Sequence, residues 1–392
     1  MSFDLMGHLE QALPEYLNDL RALVEVDCGT HNKAGVDSVG RVMEDHFRSL
    51  GCQVERIPLE NYGDCVVGRL HGRGKARILL LGHLDTVYPD GTVAERPMRI
   101  EQGEDRVYGP GVSDMKSGLL SGVYALRTLR AADFDDFAEI VFFCNSEEEV
   151  GSPVSHTLYS KEAFQADVAL VLESARADGS IVTQRKGIAV YEVEIQGRAA
   201  HAGVEPEKGA SAVLSLAYFI VAAHQLNGLK PGVTVNVGVI HGGTKANVVP
   251  EHAEAGLDVR IVQTEDLTAV EAALREALTH LPVPGTHGQM AGGLQNPPMP
   301  RTPAIAYLAD LARVEARTLG FGLTEASTGG GSDGNYCAAQ GTPVLDGLGP
   351  IGGADHSPDE YLVLSAIVPR TALLARLLIS IAQHVDDLRA MK

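Results

Sequence analysis

Residues 76–84 read ARILLLGHL, and this run decides the fold. It is apolar almost throughout and lacks the alternation of a strand with one wet face. It therefore reads as a strand buried on both sides, of the kind found in parallel sheets. Two runs of the same character follow, EIVFFC at 139–144 and DVALVL at 167–172. Between the first two, residues 113–132 carry a helical pattern, with Ser113 as the candidate N-cap. Upstream, residues 3–50 hold two helical patterns broken near 28–30, and short apolar runs sit at 52–57 and 64–70. Strands alternating with helices predict an α/β domain: a mixed, largely parallel central sheet between helices.

The texture changes near residue 187. Residues 188–196, IAVYEVEIQ, alternate apolar and polar as a half-exposed antiparallel strand does, and parts of 234–240 and 254–262 do the same. Helical segments lie at 209–226 and 267–280. This order predicts a small α+β sandwich inserted into the α/β domain. The stretch 292–300, GGLQNPPMP, reads as the linker out of it. Helices return at 302–318 and 362–384, with a short apolar run at 342–345. The expected organisation is an α/β domain built from 1–186 and 298–392, interrupted by an inserted α+β domain at 187–297.

With 392 residues, 45% of them hydrophobic, the chain is long enough for two cored domains. Its formal charge of −19 repels phosphate backbones, so no nucleic-acid partner is expected. Five scattered Cys with no C-x-x-C pair read as free thiols in a reducing compartment. The N-terminal residues MSFDLMGHLEQ show no basic start followed by an apolar run, so a cytoplasmic protein is expected. The uncharged stretch between Lys208 and Lys230 is densely apolar only over 212–223, short of the roughly 20 residues a membrane span needs. A helix buried in a core or a subunit interface is the better reading.

Candidate chemistry gathers at the ends of the buried strands, where ligands sit in α/β sheets. His83 closes the first, and Asp85, two residues on, falls on the same side of an extended chain, placed to orient its ring. Glu147, Glu148 and Glu149 follow the second, and Glu173 ends the third. Asp114 lies at a loop-to-helix junction, and His356 in a distant loop, GGADHSP. Taken singly, these are a structural histidine, a helix cap, a solvated turn and a surface histidine. Taken together, two His and several carboxylates without Cys suit a catalytic pair of Zn²⁺ ions roughly 3.5–4 Å apart, sharing one carboxylate. A phosphoesterase would favour extra His ligands and a basic cradle, and neither is evident. GGTK at 242–245 fails the spacing of a phosphate loop.

At these positions the sequence resembles a family. HLDTVY at 83–88, YGPGVSDMKSG at 108–118, EEEVGS at 147–152 and AHAG at 200–203 resemble, in order, the signatures of co-catalytic zinc enzymes. That family includes acetylornithine deacetylases, succinyl-diaminopimelate desuccinylases, aminoacylases and glutamate carboxypeptidases. The resemblance spans nearly the whole chain, and it implies two Zn²⁺ ions per chain, with Co²⁺ or Mn²⁺ as substitutes. His83, Asp114 and Glu173 would hold one ion; Asp114, Glu149 and His356 the other. Glu148 would be the general base and Asp85 the partner of His83. A cis bond after Asp114 is also implied.

In the inserted domain, His201 would steady the developing oxyanion, and Asn247 and Arg260 resemble residues that recognise a substrate carboxylate. For Arg260 an ion pair with Asp258 is the plain alternative. Gly330 and Gly331, within GGGSD at 329–333, would bring backbone close to the substrate. The inserted domain at 187–297 resembles the family's lid on its catalytic domain, which implies a homodimer. The stretch 83–98 with STGGGSD at 327–333 is most similar to the folate-hydrolysing glutamate carboxypeptidases, which implies release of a C-terminal amino acid from a peptide or N-acyl conjugate. An N-acyl-amino-acid deacylase is the second expectation, and a catalytically silent binding protein the third. Glu147 stands where Asp is more common, and no role falls on it in this reading.

Overall fold

The apolar run at 76–84 becomes the strand Arg77–His83, the fourth of six in one sheet. The spatial order is Gln53–Ile57, Cys65–His71, Glu139–Asn145, Arg77–His83, Val168–Val171 and Val344–Leu345. The first two pairings are antiparallel and the other three parallel, so the sheet is mixed. Ile78 lies level with Ile140 on one side and Val168 on the other. All three are buried, which accounts for the continuous apolar runs. The computed structural model describes residues 3–392. They form two units: one contains this sheet and comprises the chain to Gln184 with Arg301–Thr328 and Ser332–Lys392; the other comprises Arg185–Pro300 with Gly329–Gly331.

In the first unit the helices Leu5–Val24, Ser117–Ala131 and Ile367–Gln383 pack on one another, and Lys33–Ser49 packs on the strand Cys65–His71. The segment Leu364–Gln383 is long and apolar enough to cross a membrane by length and composition, yet 72% of it is buried within the protein. It carries the buried Arg370, whose guanidinium donates to the carbonyls of Gly179, Gly347 and Gly349. This is the placement of a core helix. The helix Ser117–Ala131 is seated hard against the strand that leads to Glu173. A Cβ on Gly118 would lie 1.9 Å from the Leu172 carbonyl oxygen, so only glycine allows the approach.

The second unit is an antiparallel sheet of order Thr234–Gly242, His252–Ile261, Gly187–Gln196 and His287–Asn296. Helices Ala212–His224 and Thr264–Thr279 complete its core with Ala189, Tyr191, Val193 and Ile195, the alternate residues of the central strand. It is the α+β sandwich that the alternation predicts.

Three local readings are corrected. Ser113 caps no helix: the α-helix starts at Ser117, and Val112–Lys116 forms a wide turn with a cis Asp114–Met115 peptide. The glycines at 292–293 belong to the strand His287–Asn296 rather than to a linker, where Gly292 adopts φ 121°. Glycine hides the alternation there because it contributes no side chain to either face. The apolar run at 362–384 begins as the strand Tyr361–Val363, paired with Arg106–Tyr108, before the helix Ile367–Gln383.

Candidate metal centre

His83 ends its strand with a ring that is 1% exposed. Its Nδ1 lies 3.0 Å from the Asp85 carbonyl oxygen and 3.3 Å from Asp85 Oδ1, which places the ring proton on Nδ1 and turns Nε2 inward as the ligating nitrogen. That Nε2 is 2.9 Å from Asp114 Oδ1 and 3.7 Å from Glu173 Oε1. The other oxygen of Asp114, Oδ2, is 3.1 Å from His356 Nε2, and the same nitrogen is 3.2 Å from Glu149 Oε2. One carboxylate therefore stands between two imidazoles, with a further carboxylate beside each. Ligand atoms of His83, Asp114 and Glu149 lie within 4.8 Å of one another, as do those of His83, Glu148 and Glu173.

The elements around the centre explain its aim. Glu148–Val150 makes one tight turn directly after the strand Glu139–Asn145, ended by Gly151 at φ 85°. Asp85 holds that turn: Oδ1 accepts from the Glu148 N–H at 3.2 Å, and Oδ2 accepts from the Glu149 N–H at 3.3 Å and from Thr30 Oγ1 at 2.7 Å. From below, Asn145 Oδ1 accepts from the N–H groups of Ser146 and Glu147, while Asn145 Nδ2 donates to Ser152 Oγ and to Asp333. Buried Glu147 accepts from the Val154 and Ser155 N–H groups at 2.7 and 2.5 Å. It thus fastens the loop beyond the turn, a structural role that the sequence did not suggest.

The electrostatics favour a cation. Burial, the largest influence, raises the Glu148 and Glu149 carboxyls above their ordinary range, and neighbouring carboxylates add to it. Burial opposes ionisation of Asp114 too, but His356 and His83 outweigh it and hold that carboxyl low. Hydrogen bonds to Asp114 and Glu149 raise the His356 ring to about 11. Gathering four carboxylates of the centre and the Asp85 carboxylate around two imidazoles leaves an excess of negative charge. Hard oxygen donors with two imidazole nitrogens and no thiolate fit Zn²⁺, Co²⁺ or Mn²⁺. A cavity of about 450 Å³ adjoins Glu149, lined by His31, Asn32, Tyr88, Asp90 and Val150 among others.

The remaining candidates lie in the second unit. His201 pairs with Val248 across a two-residue ladder, and the Ala202 N–H donates to the Asn247 carbonyl, so His201 and Asn247 are neighbours. The Gly203 N–H donates to His201 Nδ1 at 3.2 Å, which places the proton of the neutral ring on the exposed Nε2. Arg260 forms the ion pair that was its plain alternative, with Nε and Nη2 on the Asp258 carboxylate at 2.7 and 2.8 Å. Its Nη1 donates to the Gly329 carbonyl, and Arg185 donates to those of Gly330 and Gly331. Sequence reasoning missed Asp333, Tyr88 and Glu360, which contact the loops of the centre rather than its ligand atoms.

A family profile described as a peptidase dimerisation domain of the M20 type matches residues 183–286, and one described as peptidase family M28 matches 65–200. Carboxypeptidase G2 of Pseudomonas sp. (strain RS-16) is 32% identical over 94% of this chain and 89% of its own length. The acetylornithine deacetylase of Aliivibrio fischeri (strain ATCC 700601 / ES114) is 26% identical over 84% of this chain and 87% of its own. Among solved structures, aminopeptidase PepT of Bacillus cereus superposes with a TM-score of 0.81 at 25% identity, covering 94% of this chain and 99% of that one. The M20 family metallo-carboxypeptidase Sso-CP2 of Sulfolobus solfataricus gives 0.73 at 18% identity, covering 93% and 98%.

Proposed function

Because the chain belongs to the M20 family of metallopeptidases, hydrolases that act on amide bonds, we propose that it removes a C-terminal amino acid from a peptide or N-acyl conjugate with two Zn²⁺ ions. The observation that carries this reading is the Asp114 carboxylate set between His83 Nε2 and His356 Nε2, at 2.9 and 3.1 Å. His83, Asp114 and Glu173 would hold one ion, and Asp114, Glu149 and His356 the other; Co²⁺ or Mn²⁺ would serve the same donors. When bound, the metal would supply Lewis acidity toward the scissile carbonyl and acidify water at neutral pH.

The protein's own residues do the rest. Glu148, with its carboxyl raised by burial, accepts the proton of the attacking water and delivers it to the leaving nitrogen. Asp85 fixes the His83 ring and, through two backbone N–H groups, the turn that aims Glu148 and Glu149. His201 donates from Nε2 to the developing oxyanion, a contact worth ~2.7–4 kcal/mol in related chemistry. Asn247 and Arg260 recognise the substrate carboxylate, with Arg260 exchanging part of its pairing to Asp258 for it, and Gly330 and Gly331 flank that site. The cavity beside Glu149 takes the acyl or peptidyl part of the substrate.

Similarity to acetylornithine deacetylases favours a second reading, deacylation of N-acyl amino acids. We further propose a homodimer formed through the second unit. Its helix Ala212–His224 exposes Leu214, Tyr218 and Val221 along one face, and its edge strand Thr234–Gly242 exposes Val239 and Ile240. An apolar helix face beside an open strand edge favours a partner, and the match to a dimerisation domain supports a second copy in that place. Five free, mostly buried cysteines support a cytoplasmic setting.

The test is metal content together with hydrolysis of folyl-glutamate, dipeptides and N-acetyl amino acids, for wild type and Glu148→Ala. Two ions per chain and a ~10²–10⁴-fold loss of kcat in Glu148→Ala are expected. Preference for N-acetylornithine over peptidyl-glutamate would select the second reading. A wild type without metal, or activity untouched by Glu148→Ala, would overturn both.

A further inference from the structure

We infer that Glu360 is a positioning residue that holds Asp114 in place by gathering the backbone N–H groups of its turn. The inference rests on Asp114 being a metal ligand. Glu360 is 2% exposed. Its Oε1 accepts from the Ser113 N–H at 2.8 Å and the Asp114 N–H at 3.0 Å. Its Oε2 accepts from the Gly111 N–H at 2.9 Å and from the Tyr88 hydroxyl at 2.7 Å.

The turn Val112–Lys116 explains why such an acceptor is needed. Two of its donors reach carbonyls just before it: the Val112 N–H bonds the Gly109 carbonyl and the Lys116 N–H the Gly111 carbonyl. The N–H groups of Gly111, Ser113 and Asp114 point instead to one buried place, and a buried N–H without an acceptor is costly. A carboxylate accepts with both oxygens and therefore satisfies all three; an amide or a hydroxyl cannot.

Glu360 also ties together three loops that each deliver part of the centre. It lies four residues after His356. Tyr88, which it binds, follows His83 and Asp85, and the Tyr88 hydroxyl is 2.9 Å from the Ser357 carbonyl. The Arg96 guanidinium lies over the Tyr88 ring at 4.9 Å and donates to the same carbonyl at 3.3 Å. A Cβ on Gly352 would lie 2.1 Å from Ser113 Oγ, so the loop leading to His356 presses directly on the turn that leads to Asp114. Glu360 thus links the loops that carry His83, Asp114 and His356 while touching none of the ligand atoms.

The experiment compares wild type, Glu360→Gln and Glu360→Asp for zinc affinity, by competition with a chromogenic chelator, and for kcat, KM and melting temperature. Glu360→Gln keeps the shape but turns one acceptor into an NH₂ group facing a donor. Its zinc affinity is expected to fall ~10–100-fold, with kcat lowered and KM near wild type. Glu360→Asp restores two acceptor oxygens one methylene further away, and is expected to recover part of the affinity lost in Gln. If Glu360→Gln does not fold, Glu360→Asp and Tyr88→Phe, which removes a single donor, are read in the same way. Zinc affinity and kcat per folded molecule equal to wild type in these variants would overturn the inference while leaving the metal centre intact. A wild type that binds no zinc would overturn the metal centre itself.

Discussion

Replacing Asp85 by Asn separates its charge and acceptor capacity from its shape. The Asp85 side chain is essentially unexposed. Its two oxygens receive the Glu148 N–H, the Glu149 N–H and the Thr30 hydroxyl, and one of them faces His83 Nδ1 at 3.3 Å. An amide can place its NH₂ in only two ways. At the Oδ1 position it meets the Glu148 N–H and the proton-bearing side of His83. At the Oδ2 position it meets the Glu149 N–H, while the Thr30 hydroxyl can rotate to accept. The second placement is cheaper and leaves one buried N–H unpaired, a cost of about 1–3 kcal/mol. The turn yields to relieve that cost, and Glu148 and Glu149 move with it. Since ~1.4 kcal/mol is tenfold, kcat/KM is expected to fall about 10–100-fold, in the range seen for partners of metal ligands. The assay is kcat/KM on the best substrate of the panel, normalised to folded protein by near-ultraviolet circular dichroism. Asp85→Ala, which orphans both N–H groups, should lose more than Asp85→Asn. Both variants within about twofold of wild type would refute the reasoning, because the turn would then hold its shape without Asp85.

Three other outcomes follow from the structure. Glu325 is held at about 2, chiefly by its hydrogen bond to Arg301, with Thr183 and Arg313 adding to it. A depressed carboxyl stabilises above its ordinary value of 4.5 and loses that contribution as the pH falls from there toward 2. Because the arginines are partly solvated, the full shift is discounted to about 1–2 kcal/mol; urea unfolding should show Glu325→Gln less stable by this amount at pH 7, and a gap that fails to shrink by pH 3 would be contrary. Adding Zn²⁺ to chelator-treated protein at a hundred times its dissociation constant should stabilise it by about 2.7 kcal/mol per ion. This reads as a raised melting temperature that Glu149→Ala reduces, and an unchanged transition would count against the centre. Tyr218→Glu with Val221→Glu should lower the mass measured by light scattering from twice the 41.6 kDa chain to one copy; a wild type already monomeric would remove the proposed interface.

How far the centre could be read in the sequence depends on how each residue acts. His83, Glu148, Glu149 and Glu173 were legible because they stand at the ends of buried strands, and continuous apolar runs such as 76–84 and 139–144 mark those strands without any partner being known. The distant His356 and the loop residue Asp114 carried no such marker; they were candidates only in conjunction with the others, and the resemblance of their motifs supplied their roles. The turn around Asp114 was misread because Ser113 before a helical pattern is ordinarily a cap. Here the α-helix begins only at Ser117, and the N–H groups of Gly111, Ser113 and Asp114 in the stretch before it go to Glu360. Asp85 was anticipated as the partner of His83 but not as the clamp on Glu148 and Glu149. Glu147 and Asp333 were not anticipated at all. These carboxylates share one property: most of their partners are backbone N–H groups or hydroxyls drawn from other loops. Every residue but proline has a backbone N–H, so its donor leaves no trace in composition, spacing or periodicity. A residue that binds a metal is recognisable by its own chemistry, whereas one that shapes a loop is recognisable only by where the loop goes. Glu147, Asp333 and Glu360, buried acidic residues that bear no ligand role, are therefore among the places where the fold holds the geometry that the ligands need.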